Sequence, residues 1–188
     1  MPVPLRPFRN DRYAIGTSRD GHALTLGPMT PSAADVLGPG AAAIGPWAHY
    51  GFGVGRMAAA LKNSGDGAIR YQIECGAELA GAIIIQCPWL AGPYLQMLAV
   101  MPAHQNRGIG AAVLAWFESE ARDHFRNLWL CVSSFNVHAQ RFYRMHGYQR
   151  VATLEGLLRD GDDELLMRKR LAQLRFVEAA PGAAEVIE

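Results

Sequence analysis

The stretch that most constrains this chain runs from Tyr94 to Ala121. Tyr94–Val100 reads as a buried strand, Met101-Pro102 stops it, and Ala103-His104-Gln105-Asn106 crosses a short loop. Arg107-Gly108-Ile109-Gly110 then opens a helix in which Ile109, Val113, Trp116 and Phe117 recur at one-face spacing, with Glu118, Glu120 and Arg122 on the other side. The first four N–H groups of a helix have no internal acceptors, and the helix dipole makes that end positive. Glycines at such a start let an anion approach the N–H groups closely. Hydrogen bonds to a charged group contribute roughly 1.5–3 kcal/mol each. A strand–loop–helix of this kind is therefore expected to bind a pyrophosphate.

Two common phosphate loops do not match. A Walker A loop needs GxxxxGK[ST], and no such string occurs. A dinucleotide fingerprint needs GxGxxG, but counting from Gly108 the last position is Val113. Gly51-Phe52-Gly53-Val54-Gly55-Arg56 also fails at its last position and reads as a flexible turn into a helix.

Composition narrows the rest. A chain of 188 residues, half of them apolar and 19% charged, suits one well-buried globular domain. A formal charge of +1 without a Lys/Arg run gives no electrostatic case for nucleic acid or an anionic membrane surface. Cys75, Cys87 and Cys131 lack CxxC spacing and are expected to be inert thiols in a reducing compartment. No apolar run is long enough to span a bilayer and the N-terminus lacks an apolar signal core, so a cytoplasmic protein is expected.

Along the chain, Pro2, Pro4 and Pro7 make residues 1–21 extended or loose, and a short strand is expected around His22–Leu26. Ser32 is the expected N-cap of a helix that Gly38-Pro39-Gly40 should stop early. A second helix is expected over Val54–Lys62. Ile69–Cys75 and Leu79–Gln86 read as a hairpin, and Pro88 with the Trp89–Pro93 loop closes it. Leu128–Val132 is a strand and Asn136–His146 a helix with Gly147 as its left-handed terminator. Tyr148–Leu154 and Glu164–Arg170 form a last pair of strands, and the Ala/Pro/Gly-rich tail 177–188 is expected to be loose.

The string Gln105-x-x-Gly108-x-Gly110, after Leu98-Ala99-Val100-Met101-Pro102, resembles the Q/R-x-x-G-x-G/A signature of the GCN5-related N-acetyltransferase (GNAT) family. A second block, Asn136-x-x-Ala139-x-x-Phe142-Tyr143-x-x-x-Gly147-Tyr148, is similar to the family's N-x-x-A-x-x-F-Y-x-x-x-G-F. Glu164–Arg170 resembles its last core strand. The resemblance covers about residues 69–171 and implies an α/β fold of the α+β type, a mixed, mostly antiparallel central sheet flanked by helices. It further implies an acyl-CoA N-acyltransferase domain over 22–176, with acetyl-CoA as the acyl-donor cosubstrate and no metal.

By that resemblance the N–H groups of Arg107, Gly108, Ile109, Gly110 and Ala111 would grip the pyrophosphate, with Gln105 as part of the signature. The backbone of Leu98, Ala99 and Val100 would pair with the pantetheine arm, and Asn136 would help hold it. Asn136 also suits a helix N-cap. Tyr143 would be the general acid for the departing thiolate, and a primary amine, on a small molecule or a peptide, would attack the thioester directly. No Ser/His/Asp or Cys/His arrangement argues for a covalent intermediate, with Cys131 left open.

The base is less legible. Many family members place a glutamate on the central strand, but Tyr94–Val100 holds only Gln96, which leaves Glu74 as the nearest alternative. His49, Tyr50, Phe52 and Trp89 are candidates for the acceptor side, while His104 and His138 read as solvated. Two rivals remain at this point: an acyl-CoA-binding module without catalysis, and a protein- or peptide-directed acetyltransferase. A homodimer and a monomer are both open.

Overall fold

Eight strands form one sheet in the order β1-β2-β3-β4-β5-β6-β8-β7 in the computed structural model, which describes residues 7–63 and 65–172. The strands are β1 (Tyr13–Thr17), β2 (Ala23–Pro28), β3 (Ile69–Cys75), β4 (Glu78–Trp89), β5 (Gly92–Val100), β6 (Asn127–Ser133), β7 (Gln149–Arg159) and β8 (Asp162–Arg170). Every neighbouring pair is antiparallel except β5 with β6. The helices are α1 (Pro31–Ala42), α2 (Gly45–His49), α3 (Val54–Lys62), α4 (Ile109–Ala121) and α5 (Val137–Met145). This is the mixed, mostly antiparallel sheet flanked by helices that the sequence led us to expect.

Alternation along the strands builds a core on each face of the sheet. On one face Ile109, Val113 and Phe117 of α4, all nearly inaccessible, pack on Ile83, Ile85, Leu95, Leu130 and Met167. Burying each such side chain contributes about 1.5–3 kcal/mol. On the other face Leu37 of α1 and Met57 and Leu61 of α3 cover Ala82, Ile84, Met97 and Ala99.

One irregularity shapes the site. Gly81↔Val100 through Ile84↔Met97 pair in step, but the next pair is Ile85↔Leu95, so Gln96 is an extra residue on β5. Such a bulge bends its strand and increases the local twist. Strand β5 then meets β6 at Tyr94↔Trp129 and Leu95↔Leu130, and the two diverge beyond that point. The half of β5 from Gln96 to Val100 is left with an open edge towards β6.

Several local expectations are corrected. Helix α1 does not stop at Gly38-Pro39-Gly40 but continues to Ala42. Gly38 is packed so closely on α3 that a Cβ there would stand 2.9 Å from Ala58 Cβ, so glycine permits the α1–α3 contact. Asp35 and Pro39 both lie on the exposed side of α1, so the bond that Pro39 cannot donate to the Asp35 carbonyl is missing from the solvent side of the helix. The N-cap is Thr30, whose Oγ1 accepts from Ala33 N at 3.1 Å, rather than Ser32. Strand β1 lies within the segment expected to be extended or loose, and α2 was not expected at all. The β4–β5 loop shrinks to a two-residue turn at Leu90-Ala91, both with positive φ. The expected tail 177–188 lies outside the described residues.

Candidate active site

The turn between β5 and α4 owes its shape to three locally determined features. Pro102–His104 forms a single 3₁₀ turn, Asn106 sits at φ 63°, and Gly108 caps α4 at φ 84°. Asparagine and glycine are the residues that tolerate this left-handed region. Gln105 fastens the turn to the sheet, its Nε2 donating to the Val100 carbonyl at 3.0 Å. Met101 N donates across to Ala80 on the β4 side. The carbonyl of the same peptide points the other way, into the opening between β5 and β6, and Gln105 meets it there.

Among the described residues, no protein acceptor takes the N–H groups of Arg107, Gly108, Ile109, Gly110 or Ala111. The first α4 bond into the turn runs from Ala112 N to Gly108 O at 3.1 Å. Five amides thus open one helix, with a left-handed glycine at its cap. Gly110 has a second task, because a Cβ there would stand 3.1 Å from Phe142 Cζ on α5. The Arg107 side chain turns away to Asp20, at 3.2 Å.

A cleft of about 1080 Å³ joins this turn to the open edge of β5. Of the residues singled out from sequence, Leu98, Val100, Gln105, Gly108, Ile109, Gly110, Ala111, Asn136 and Tyr143 all line it. The Ala99 side chain is buried on the α1–α3 face, and by strand alternation its N–H and C=O face β4, so Leu98 and Val100 are the residues that turn their backbone groups to the open edge. Asn136 is the N-cap of α5, its Oδ1 accepting from Ala139 N at 3.2 Å, while its Nδ2 has no protein partner among the described residues.

Tyr143 is half-buried against the core and reaches the cleft. Burial pushes its phenol from 10.0 up to about 12. Its hydroxyl has no hydrogen-bond partner among the described residues, so the proton is retained and uncommitted.

Other sequence candidates are rearranged. Glu74 is not in the cleft: it points towards β2, where Arg12, Thr25 Oγ1 (3.0 Å) and Gln72 Nε2 (2.7 Å) donate to it. Burial opposes its ionisation, but those hydrogen bonds outweigh it and lower its pKa. Tyr50, Phe52 and His138 line the cleft; Trp89 instead packs on Tyr94 and meets Trp129 edge-on at the β4–β5 turn. His49 binds Asp162, at 3.1 Å. His104 is 7% exposed rather than solvated, and lines the cleft.

Two residues were missed. Arg19, in the β1–β2 turn, lines the cleft, with its backbone N on Arg107 O at 2.9 Å and its Nη1 on Asn106 O at 3.2 Å. No motif marks it; only the pairing of β1 brings it there. Glu164 on β8 is 5% exposed and also lines the cleft. An acid flanked by the apolar run Leu165-Leu166-Met167 was the available signal.

The acetyltransferase (GNAT) family model matches residues 42–148, more than half of the chain. The chain belongs to the GNAT acetyltransferase family. Solved structures of GNAT-like fold agree. The ribosomal-protein-S18-alanine N-acetyltransferase from Escherichia coli is 20% identical over 82% of this chain and 97% of its own, with a TM-score of 0.64. An acetyltransferase from Thermus thermophilus is 21% identical over 85% of this chain and 100% of its own, with a TM-score of 0.63. A Bacillus anthracis protein named for streptothricin acetylation, solved in complex with acetyl coenzyme A, is 16% identical over 57% of this chain and 65% of its own, with a TM-score of 0.51. At these identities the likeness is one of fold. No curated protein matches the chain. Among the described residues of this GNAT chain, no helix is long and apolar enough to cross a membrane.

Proposed function

We propose that this GNAT protein is an acetyl-CoA-dependent N-acetyltransferase that moves the acetyl group to a primary amine by direct attack on the thioester. The observation that carries the reading is the coincidence, in one cleft, of the unpaired amides of Gly108 to Ala111, an open strand edge and an uncommitted phenol.

The residues fit the donor's parts. The N–H groups of Arg107 to Ala111 suit a diphosphate, and Arg19 brings a guanidinium beside the same turn. The outward N–H and C=O of Leu98 and the N–H of Val100 suit an amide-bearing pantetheine arm, with Asn136 Nδ2 as a further donor. Acetyl-CoA, once bound, supplies an activated carbonyl and a thiolate leaving group. Tyr143 holds the proton that such a leaving group needs, and its raised pKa keeps it in the acid form throughout the neutral range. The folds described above include one relative solved with acetyl coenzyme A, which supports the same donor here.

The attacking amine must lose a proton first. For an alkylamine near pKa ~10.4 this costs roughly 4–5 kcal/mol at pH 7, against about 1 kcal/mol for an α-amine. Thiol release from acetyl-CoA, followed with a panel of primary amines, tests the reading. At least one amine should accelerate release over buffer. If none does while acetyl-CoA still raises the melting temperature, the protein binds the donor without being an acetyltransferase.

A further inference from the structure

A buried carboxylate needs a partner, and Glu164 has none of opposite charge. It is 5% exposed, yet among the described residues no Lys, Arg or His stands within ion-pair distance. Both hydrogen bonds it accepts, from Tyr50 Oη at 2.7 Å and Ser133 Oγ at 2.5 Å, go to Oε1. Nothing in the described protein donates to Oε2. Oε2 is not among the fully enclosed unpartnered atoms, so it keeps an opening through which a cationic ligand could pair with it.

The fold aims this carboxylate at the cleft. Leu165 and Met167 of β8 point into the core under α4, so Glu164, by strand alternation, points to the opposite face, where Tyr50 meets it just after α2. Ser133 is its register partner on β6, and Cys131 lies two residues before Ser133 on the same face. Tyr94, Cys131, Tyr143 and Glu164 all line the same cleft, so the carboxylate and the phenol open onto one space. Around it the walls are apolar and aromatic: Trp47, Tyr50, Phe52, Leu157 and Leu158. Two guanidiniums stand on this side: Arg159, 5.6 Å from the Tyr50 ring and paired with Asp162, and Arg56, stacked 3.6 Å over the Phe52 ring without an acid partner among the described residues. Arg56 repels a second positive charge on the acceptor.

We infer that Glu164 is the acceptor-side catalytic residue, receiving the ammonium of a primary monoamine with an apolar or aromatic body and taking its proton. This rests on the acetyltransferase reading above. The proton balance is complete without another reactant. Glu164 takes one proton from R–NH3+, and the freed nitrogen lone pair forms the C–N bond as the C–S bond breaks. The sulfur leaves with the bonding pair and takes the Tyr143 proton. The nitrogen's second surplus proton returns to Tyr143 through water, and Glu164 releases its proton to solvent. The products are an N-substituted acetamide, coenzyme A thiol and one proton.

Glu164→Gln keeps an acceptor for Tyr50 and Ser133 but removes the charge. We expect kcat/KM for phenethylamine to fall about 10²–10⁴-fold, the usual weight of a positioned base. With 2,2,2-trifluoroethylamine, already neutral at pH 7, the same variant should lose less than about threefold, because there is no proton to take. A structural role for Glu164 would lower both rates together. Wild-type protein should also prefer phenethylamine to spermidine, since Arg56 opposes a polycation. Equal loss with both monoamines, or no loss with either, overturns the base assignment, and a preference for spermidine overturns the acceptor class. If phenethylamine is inert while another amine reacts, this inference fails and the acetyltransferase reading stands. If no amine reacts at all, both fail.

Discussion

Gly110 and Phe142 touch across the α4–α5 interface so closely that a single Cβ at position 110 would lie 3.1 Å from Phe142 Cζ. The contact joins the helix that opens the amide turn to the helix that carries Tyr143. The arm between diphosphate and thioester has a limited reach, so grip and acid have to stand within that reach of each other. The glycine helps by letting the two helices approach.

Gly110→Val is therefore expected to act at a distance. Overfilling a packed contact costs about 1–3 kcal/mol. Thermal unfolding should show a lower melting temperature, and turnover should fall more than acetyl-CoA affinity because Tyr143 is displaced. An unchanged melting temperature with normal turnover would mean the interface has slack.

Tyr143→Phe should lower kcat by about 10²–10⁴-fold while leaving acetyl-CoA affinity within error, since the hydroxyl has no structural partner to lose. Equal turnover of the two proteins would return Tyr143 to the core packing that surrounds Phe142.

The same phenol makes a pH prediction. Its folded value, about 12, lies above its ordinary 10.0, so the fold favours the protonated form. That contribution to stability is fully present below pH 10 and is lost as the pH rises towards 12. The difference in phenolate absorbance between wild type and Tyr143→Phe should titrate near 12, and a midpoint near 10 would contradict the burial described for this ring.

Much of this was legible in the sequence because it is local. The apolar repeat of α4, the glycine-led turn and the asparagine cap of α5 each follow from residues within one or two turns of each other. What escaped depends on partners far along the chain. Helix α1 runs through Pro39 because Ala58 of α3 fits against Gly38, and strand β1 exists because β2 offers it a register. Glu74 fell outside the cleft for a related reason, as Arg12 in the approach to β1 claims it. Glu164 is separated from Tyr50 by over a hundred residues, and no spacing rule announces such a pair.

Arg19 is a consequence of that unanticipated strand. Arg19→Ala should raise the acetyl-CoA Kd about tenfold, the order of one charge-assisted hydrogen bond. The loss should shrink as salt is added, because the contact is at the surface. Titration calorimetry at two ionic strengths checks this, and an affinity that Arg19→Ala leaves untouched would confine the grip to backbone amides.

The amide grip itself is most directly read by backbone N–H resonances of the labelled protein during titration with coenzyme A. The N–H signals of Arg107, Gly108, Ile109, Gly110 and Ala111 should show the largest shifts in the chain, and Gly108→Trp should abolish both the shifts and the binding. Saturable binding of coenzyme A that leaves those five resonances in place would contradict the account at its root.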